Sequence, residues 1–365
     1  MSDRHPDLPP HLRIRARGAG SNASGRFEAE RREAFDDGWD LPEEERALKT
    51  QVTFEVPRSA LSYNSSPDIP FDRSINPYRG CEHGCIYCYA RPSHAYLGFS
   101  PGLDFETRLI ARPGIAKVLE RELRAKSYRV APIALGTNTD PYQPIDAKHQ
   151  LMREILTVLR DFRHPVGITT KGTLIERDID ILSDLAAQGL VGVGISLTTL
   201  DPQISRSMEP RAAAPARRLQ VIRQLAKAGI PVRAMIAPVV PGLTDHELEP
   251  IMAAAREAGA RYASVIPLRL PLEVAPLFKD WLEAHHPNRA QHVMNRVHEM
   301  QGGKDYDNRF GLRFKGQGLW AELLNQRLRK ARKRLGYDEG RTELRLDLFK
   351  PPPRAGDQLD LFAPA

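Results

Sequence analysis

Cysteine is nearly absent from this sequence: there are three in 365 residues, at positions 81, 85 and 88. A secreted, oxidised scaffold spreads an even number of cysteines along its length. Three thiols within one short stretch argue against a disulfide framework and point to a metal site in a reducing compartment. Long apolar runs are missing as well. No window approaches the roughly 20 apolar residues that a membrane helix needs, and the most apolar stretch, 190–197, has the length of a buried strand. The first twelve residues lack the basic stretch and apolar core of a secretion signal, so a soluble, cytoplasmic chain without a membrane partner is expected. No flavin or dinucleotide phosphate loop is evident, since Gly192-Val193-Gly194 falls inside a predicted strand where glycine permits close packing.

What is present is enough apolar residue (41%) for a sizeable core, and a net charge of +7 that suits a polyanionic partner. The positive charge is locally clustered. Residues 1–45 are poor in aliphatics and read as a disordered N-terminal arm, in which Arg13, Arg15 and Arg17 alternate ahead of Gly18-Ala19-Gly20 and suit a phosphate backbone. Residues 317–336 read as an amphipathic helix: Trp320, Leu324, Leu328, Ala331 and Leu335 share one side. Arg327, Arg329, Lys330, Arg332, Lys333 and Arg334 occupy the others, either as a phosphate-binding face or as a solvated one.

Between these segments the pattern alternates. Strands are expected at 73–78, 131–136, 166–170, 190–198, 232–237 and 262–267. Helices are expected near 113–126, 148–163, 175–188, 214–228, 245–258 and 275–285. At three junctions (Ala187-Gln188-Gly189, Ala228-Gly229 and Ala258-Gly259) a glycine follows the last helical turn and a β-rich run begins at once. Such alternation implies parallel strands with crossover helices. Six units are too few for an eight-stranded closed barrel, so a partial βα barrel is favoured over a doubly wound open sheet. The expected division is a disordered arm at 1–45, a barrel at 46–285, a helical basic extension at 286–340 and a flexible tail at 341–365.

The chemistry centres on Gly80-Cys81-Glu82-His83-Gly84-Cys85-Ile86-Tyr87-Cys88, a loop directly after the first strand. Its Cys-x3-Cys-x2-Cys spacing offers three thiolates to one cuboidal cluster. A [4Fe–4S] cluster usually takes four cysteines, and with no fourth available one iron is left open to another ligand. A compressed Cys3His zinc site using His83, or a redox-sensing thiol group, is the alternative reading.

A Cys-x3-Cys-x-aromatic-Cys loop at the head of six βα units resembles the radical S-adenosylmethionine (AdoMet) superfamily over about residues 71–270. The resemblance implies a partial (β/α)6 barrel in which the open iron binds AdoMet and an external electron cleaves it to a 5′-deoxyadenosyl radical. It also implies that Cys81, Cys85 and Cys88 ligate the cluster and that Tyr87 lies against the adenine. The runs Thr137-Asn138-Thr139-Asp140-Pro141-Tyr142-Gln143-Pro144, Thr169-Thr170-Lys171-Gly172 and Pro238-Val239-Val240-Pro241-Gly242-Leu243-Thr244-Asp245 are similar to the branch containing spore photoproduct lyase, a DNA-repair enzyme. Each lies at an expected strand end. There Lys171 suits the AdoMet carboxylate, Asn138 and Asp140 its ammonium, and Ser196 and Thr198 its ribose. Arg206, Glu209 and Arg211 are further candidates. The lyase resembles a hydrogen-relay enzyme with an extra cysteine, which this chain lacks, so the same thymine-dimer reaction is disfavoured. A tyrosine is the available donor: Tyr142 foremost, with Tyr89 and Tyr262 also near the active face.

The functional expectation is a lyase-like radical enzyme acting on nucleic acid in repair or modification. A non-catalytic iron–sulfur module that binds nucleic acid, or a radical enzyme of peptides or metabolites, is the alternative. One further signal is the run Gln358-Leu359-Asp360-Leu361-Phe362, which resembles the peptide by which bacterial polymerases and repair proteins bind the replicative sliding clamp. In it, Leu361 and Phe362 fill an apolar pocket and Gln358 is a polar anchor. The run Arg345-Leu346-Asp347-Leu348-Phe349 is related but begins with arginine.

Overall fold

The computed structural model describes residues 17–28 and 48–354. Three short strands open the second segment: β1 (Gln51–Phe54), β2 (Leu61–Tyr63) and β3 (Arg73–Ile75). The run expected as one strand at 73–78 is interrupted at Asn76-Pro77, because proline has no N–H to continue a ladder. Its second half, β4 (Tyr78–Arg79), joins a different sheet. After the cysteine loop come α1 (Leu103–Thr107), β5 (Arg108–Ala111) and α2 (Ile115–Leu123). Regular alternation then sets in: β6 (Ile133–Leu135), α3 (Asp146–His149), α4 (Leu151–Asp161), β7 (Val166–Thr170), α5 (Ile179–Ala187) and β8 (Val191–Ser196). It continues with α6 (Pro202–Met208), α7 (Pro215–Lys227), β9 (Val232–Val239), α8 (Leu248–Glu257) and β10 (Tyr262–Pro267). Three helices close the described part: α9 (Val274–His285), α10 (Pro287–Met300) and α11 (Gly318–Leu335).

The main sheet has the order β10-β9-β8-β7-β6-β3-β2, with β3 through β10 parallel and in chain order, and β2 antiparallel at the edge. Its two outer strands are not paired with each other. This is the expected six-unit α/β array in open form. The three junction glycines all take left-handed conformations (φ 72°, 77° and 105° at Gly189, Gly229 and Gly259). A small second sheet, β1-β5-β4, stands beside the cysteine loop; sequence periodicity did not reveal it, because strands of two to four residues are too short to show alternation.

Apolar residues of β6 through β9 alternate into one core with the inner faces of α2, α4, α5, α7 and α8. The amphipathic helix α11 docks as expected: Leu324, Leu328 and Ala331 enter that core. Two of its arginines do not face solvent as free cations. Arg327 pairs with Glu249 (2.5 Å), and Arg332 donates to the Ala263 carbonyl (3.1 Å). Among the described residues no helix is long and apolar enough to cross a membrane.

Both terminal regions depart from expectation where they are described. Residues 17–28, within the expected arm, are packed against the cysteine loop, and Arg17 is buried instead of facing a phosphate. Arg13 and Arg15 lie outside the described residues. Residues 341–354, within the expected flexible tail, run across the end of the sheet opposite the cysteine loop. There Arg345 N–H donates to Gly189 O (3.0 Å) and Lys350 N–H to Phe162 O (3.0 Å). The Phe349 ring rests against Tyr128, Phe162 and His164.

Candidate active site

The cysteine loop leaves β4 and is fixed by buried polar groups instead of by regular structure. Gly84 has a φ of 65°, and a side chain there would strike the Glu106 carboxylate at 2.6 Å, so only glycine fits. The fully buried Arg91 guanidinium holds the loop from beneath, donating to Gly84 O (3.0 Å), Cys85 O (3.0 Å) and Glu106 Oε1 (2.6 Å). Gln143 bridges it on the other side, receiving Glu82 N–H (2.9 Å) and donating to Gly80 O (3.2 Å). Cys81 N–H reaches Phe105 O (2.9 Å), and Ile86 N–H reaches Met208 O (3.0 Å), so the loop is tied to α1 and to the end of α6.

All three thiols are free, and Cys81 and Cys85 are each only 7% exposed. Burial pushes the Cys85 thiol up to about 12 and that of Cys81 well above its ordinary value, and the neighbouring cysteines add to the shift of both. Iron binding must therefore displace these protons. Among the described residues no three His, Cys, Asp or Glu side chains converge on a single metal ion. A cuboidal cluster makes no such demand, because each thiolate bonds a different iron. Two buried thiols and a half-buried third on one tightly held loop, with no disulfide, fit a cluster with one iron left open.

The strand ends opposite this loop carry the expected polar residues. Asp140, after β6, accepts from Thr170 Oγ1 (2.6 Å), Lys171 N–H (2.7 Å) and Tyr142 N–H (2.9 Å), and lies 3.3 Å from His83 Nδ1. Burial alone would raise its carboxyl, but His83 and these donors outweigh it and hold it at about 2. Both Asp140 oxygens are thus spent on fixing the Lys171 turn, which makes it a positioning residue in this arrangement. The Lys171 ammonium sits 5.7 Å above the Tyr87 ring and 4.0 Å from Glu209 Oε1. Burial opposes its charge, but Cys85, once ionised, and Glu209 outweigh that and move the amine above its ordinary value. Asn138 N–H donates to Asn76 Oδ1 (3.1 Å), with its amide 3.4 Å from Ser93 Oγ. Ser196 and Thr198 are both buried at the end of β8.

Glu209 is the hub of the site, and spacing alone made it only a secondary candidate. It is fully buried, pairs with the equally buried Arg218, and accepts from Thr198 Oγ1 (2.7 Å) and the Tyr87 hydroxyl. Burial would raise its carboxyl; the charges of Arg218 and Lys171 outweigh it and hold it at about 2. Two further candidates lie aside: Arg206 is exposed, and Arg211 binds Glu82 (3.0 Å). Gln143, which shapes the loop, belongs to the run 137–144 without a role expected for it, and Arg91 and Glu106 carry no motif by which sequence could have singled them out.

The tyrosines separate. Tyr142 is 1% exposed and belongs to the main core, its hydroxyl unbonded and close to Asp178 and Asp146, so this placement gives the expected relay no access to a substrate. Tyr262 begins β10, at the end of the strand away from the cysteine loop, beside Arg233 and Arg261. Tyr89 stands at the open face, 48% exposed, with its hydroxyl on Thr137 O. Gln358, Leu359, Leu361 and Phe362 lie outside the described residues.

Comparison with known proteins agrees with this geometry. The model of the radical SAM superfamily matches residues 75–255, the span from the first parallel strand to α8. An uncharacterized protein of Mycobacterium tuberculosis is 39% identical over 241 residues, covering 65% of this chain and 71% of the relative. One of Methanocaldococcus jannaschii is 25% identical over 224 residues, covering 61% and 80%. Among solved structures, spore photoproduct lyase superposes with a TM-score of 0.57 at 16% identity over 79% of this chain and 81% of that one. A form of that lyase with bound AdoMet and dinucleoside spore photoproduct gives 0.55 at 15% identity, over 79% and 81%. That likeness establishes the fold. The chain belongs to the radical SAM superfamily, whose cofactors are a [4Fe–4S] cluster and AdoMet.

Proposed function

We propose that this chain is a cytoplasmic radical enzyme acting on a nucleobase or sugar of DNA or RNA, in repair or modification. Cys81, Cys85 and Cys88 hold the cluster, an external carrier supplies its electron, and AdoMet lies among Tyr87, Asn138, Lys171, Ser196 and Thr198. When bound, cluster and AdoMet together supply a carbon-centred radical that abstracts hydrogen. Lys171, held by the Asp140 turn, meets the AdoMet carboxylate, while Glu209 fixes the Tyr87 and Thr198 hydroxyls around the adenosyl half.

The observation that carries the substrate class is a ladder of rings and guanidinium groups at the open face. Arg269, just beyond β10, lies 4.9 Å from the Tyr89 ring and 4.3 Å from that of Phe314. Arg313 lies 4.9 Å from both Phe314 and Phe310. The ladder starts one residue after Cys88 and ends at Phe310, which is 60% exposed. Alternating aromatic and guanidinium planes accept unstacked bases without reading their sequence. Arg269 forms no ion pair among the described residues, so its charge remains available to a phosphate. Arg329, Lys330, Lys333 and Arg334 of α11 are exposed and likewise unpaired among the described residues, supplying a salt-dependent attraction. A solved relative by fold that binds a dinucleoside photoproduct is consistent with this reading. Tyr89, at the foot of the ladder, is the best placed of the three tyrosines to return a hydrogen.

Replacing Arg269 and Phe314 together by alanine is expected to weaken single-stranded oligonucleotide binding by at least about tenfold, since a stacked base is worth ~1–3 kcal/mol. Reversing Arg329, Lys330 and Lys333 to glutamate should flatten the salt dependence by about two in log–log slope. Binding that ignores salt and both sets of substitutions would shift the substrate to a peptide or metabolite. AdoMet left intact under reducing conditions would favour a non-catalytic module.

The C-terminal peptide Gln358-Leu359-Asp360-Leu361-Phe362 would then tether the enzyme to DNA through a sliding clamp. A synthetic peptide of residues 356–365 is expected to bind the clamp of the same organism at micromolar levels in a polarisation assay. Changing Leu361 and Phe362 to alanine should abolish this, and a silent wild-type peptide would refute the tether.

A further inference from the structure

The N-terminal residues 17–28 make a set of contacts that the proposed reaction does not use. We propose that this segment is a latch that completes the outer wall of the cluster site, so that retention of the cluster depends on it; the inference rests on the reading of Cys81, Cys85 and Cys88 as its ligands. Glu106 is the catch. Its two carboxylate oxygens receive Gly18 N–H and Ala19 N–H, both at 2.9 Å, and one of them also binds Arg91, the guanidinium that holds Gly84 O and Cys85 O. One buried carboxylate therefore joins the latch to the loop that presents the thiols.

The fit is close. A side chain at Gly18 would fall 1.8 Å from the Gly84 carbonyl oxygen, so the latch backbone lies directly on the loop backbone. Ala19 is 1% exposed and packs in the same apolar group as Cys85, Ile86 and Tyr87. Arg17 pins the near end, donating to Glu106 O (2.8 Å) and Leu48 O (2.6 Å). Asn22 and Asp104 exchange two hydrogen bonds, 3.0 and 2.9 Å. At the far end Arg26 pairs with Glu273 (2.6 Å), immediately before α9. The latch thus reaches from the loop after the first parallel strand to the segment after the last one.

The contacts of this latch on the main core are few, since its partners are the cysteine loop, Leu48 and Thr50, Tyr96, residues 99–106 and Glu273. Loosening it should expose the cluster while leaving the barrel folded. The test uses full-length Gly18→Ala and Arg17→Ala proteins, reconstituted anaerobically, with iron extraction by a chelator followed by absorbance and visible circular dichroism. Both variants should take up iron as the wild type does, but release it at least about tenfold faster, as expected when a methyl group at position 18 displaces its N–H from the Glu106 carboxylate, or when the charge-assisted hydrogen bonds of Arg17 to the Glu106 and Leu48 carbonyls are lost. The melting temperature of the iron-free proteins should match that of the wild type. Extraction at the wild-type rate would overturn the latch, and so would a lowered melting temperature that accounts for the faster loss. If the wild type holds no iron, the ligand assignment itself fails, which is a separate outcome.

Discussion

Replacing Cys85 by alanine is expected to leave a folded, colourless protein with little bound iron and no capacity to cleave AdoMet. The wild type, purified without oxygen, should hold about four irons and be brown. The expected loss is complete because the chain has no spare ligand: all its cysteines are in this loop. Cys85 also feels the rest of the site, since both Lys171 and Glu209 act on its charge. The fold should survive, because Arg91, Gln143 and Gly84 shape the loop without using the thiol. The check is iron content and AdoMet cleavage set beside the far-ultraviolet circular dichroism. A variant with full iron would show that the cluster is held elsewhere. A wild type carrying stoichiometric zinc would restore the Cys3His alternative.

Much of this architecture is readable before the coordinates, for a physical reason. A strand buried on nearly all its length, such as β8, is a near-continuous apolar run, and amphipathic helices with terminal glycines separate such strands. β7 and β10 have the same ends in the sequence pattern and in the structure. The Cys-x3-Cys-x2-Cys loop is equally local. What sequence does not disclose is contact across distance. Glu106 serves both the arm at Gly18 and the loop at Arg91, and no periodicity links those positions. The arm at 17–28 looks disordered because glycine, serine and arginine carry little apolar area. It is held instead by backbone hydrogen bonds and buried charge, which composition does not report. The tail errs in the same direction: Phe349 alone supplies three ring contacts that anchor a proline-rich stretch. Tyr142 fails for another reason. It follows a strand end, as an active-face residue would, yet the turn fixed by Asp140 sends its ring into the core.

Glu209→Gln separates the structural and cofactor roles of the buried charges, and its effect should be large in both. The carboxylate is fully desolvated and faces an equally buried Arg218. Removing one member of such a pair strands the other's charge in a low-dielectric interior, which costs about 3–5 kcal/mol. Urea unfolding should reveal that loss as a lower midpoint with an unchanged slope. The same substitution removes the anion that stands 4.0 Å from Lys171 and that accepts from Thr198 and Tyr87, so AdoMet binding should weaken together with stability. The two effects can be uncoupled. Adding Arg218→Met to Glu209→Gln removes the stranded charge, and apolar replacement of a buried pair is commonly neutral or stabilising. The double variant should therefore regain most of its urea midpoint while AdoMet affinity stays low, because Lys171, Thr198 and Tyr87 still lack their common anchor. If affinity returns with stability, Glu209 is a packing residue and the cofactor contacts are organised by the Asp140 turn alone.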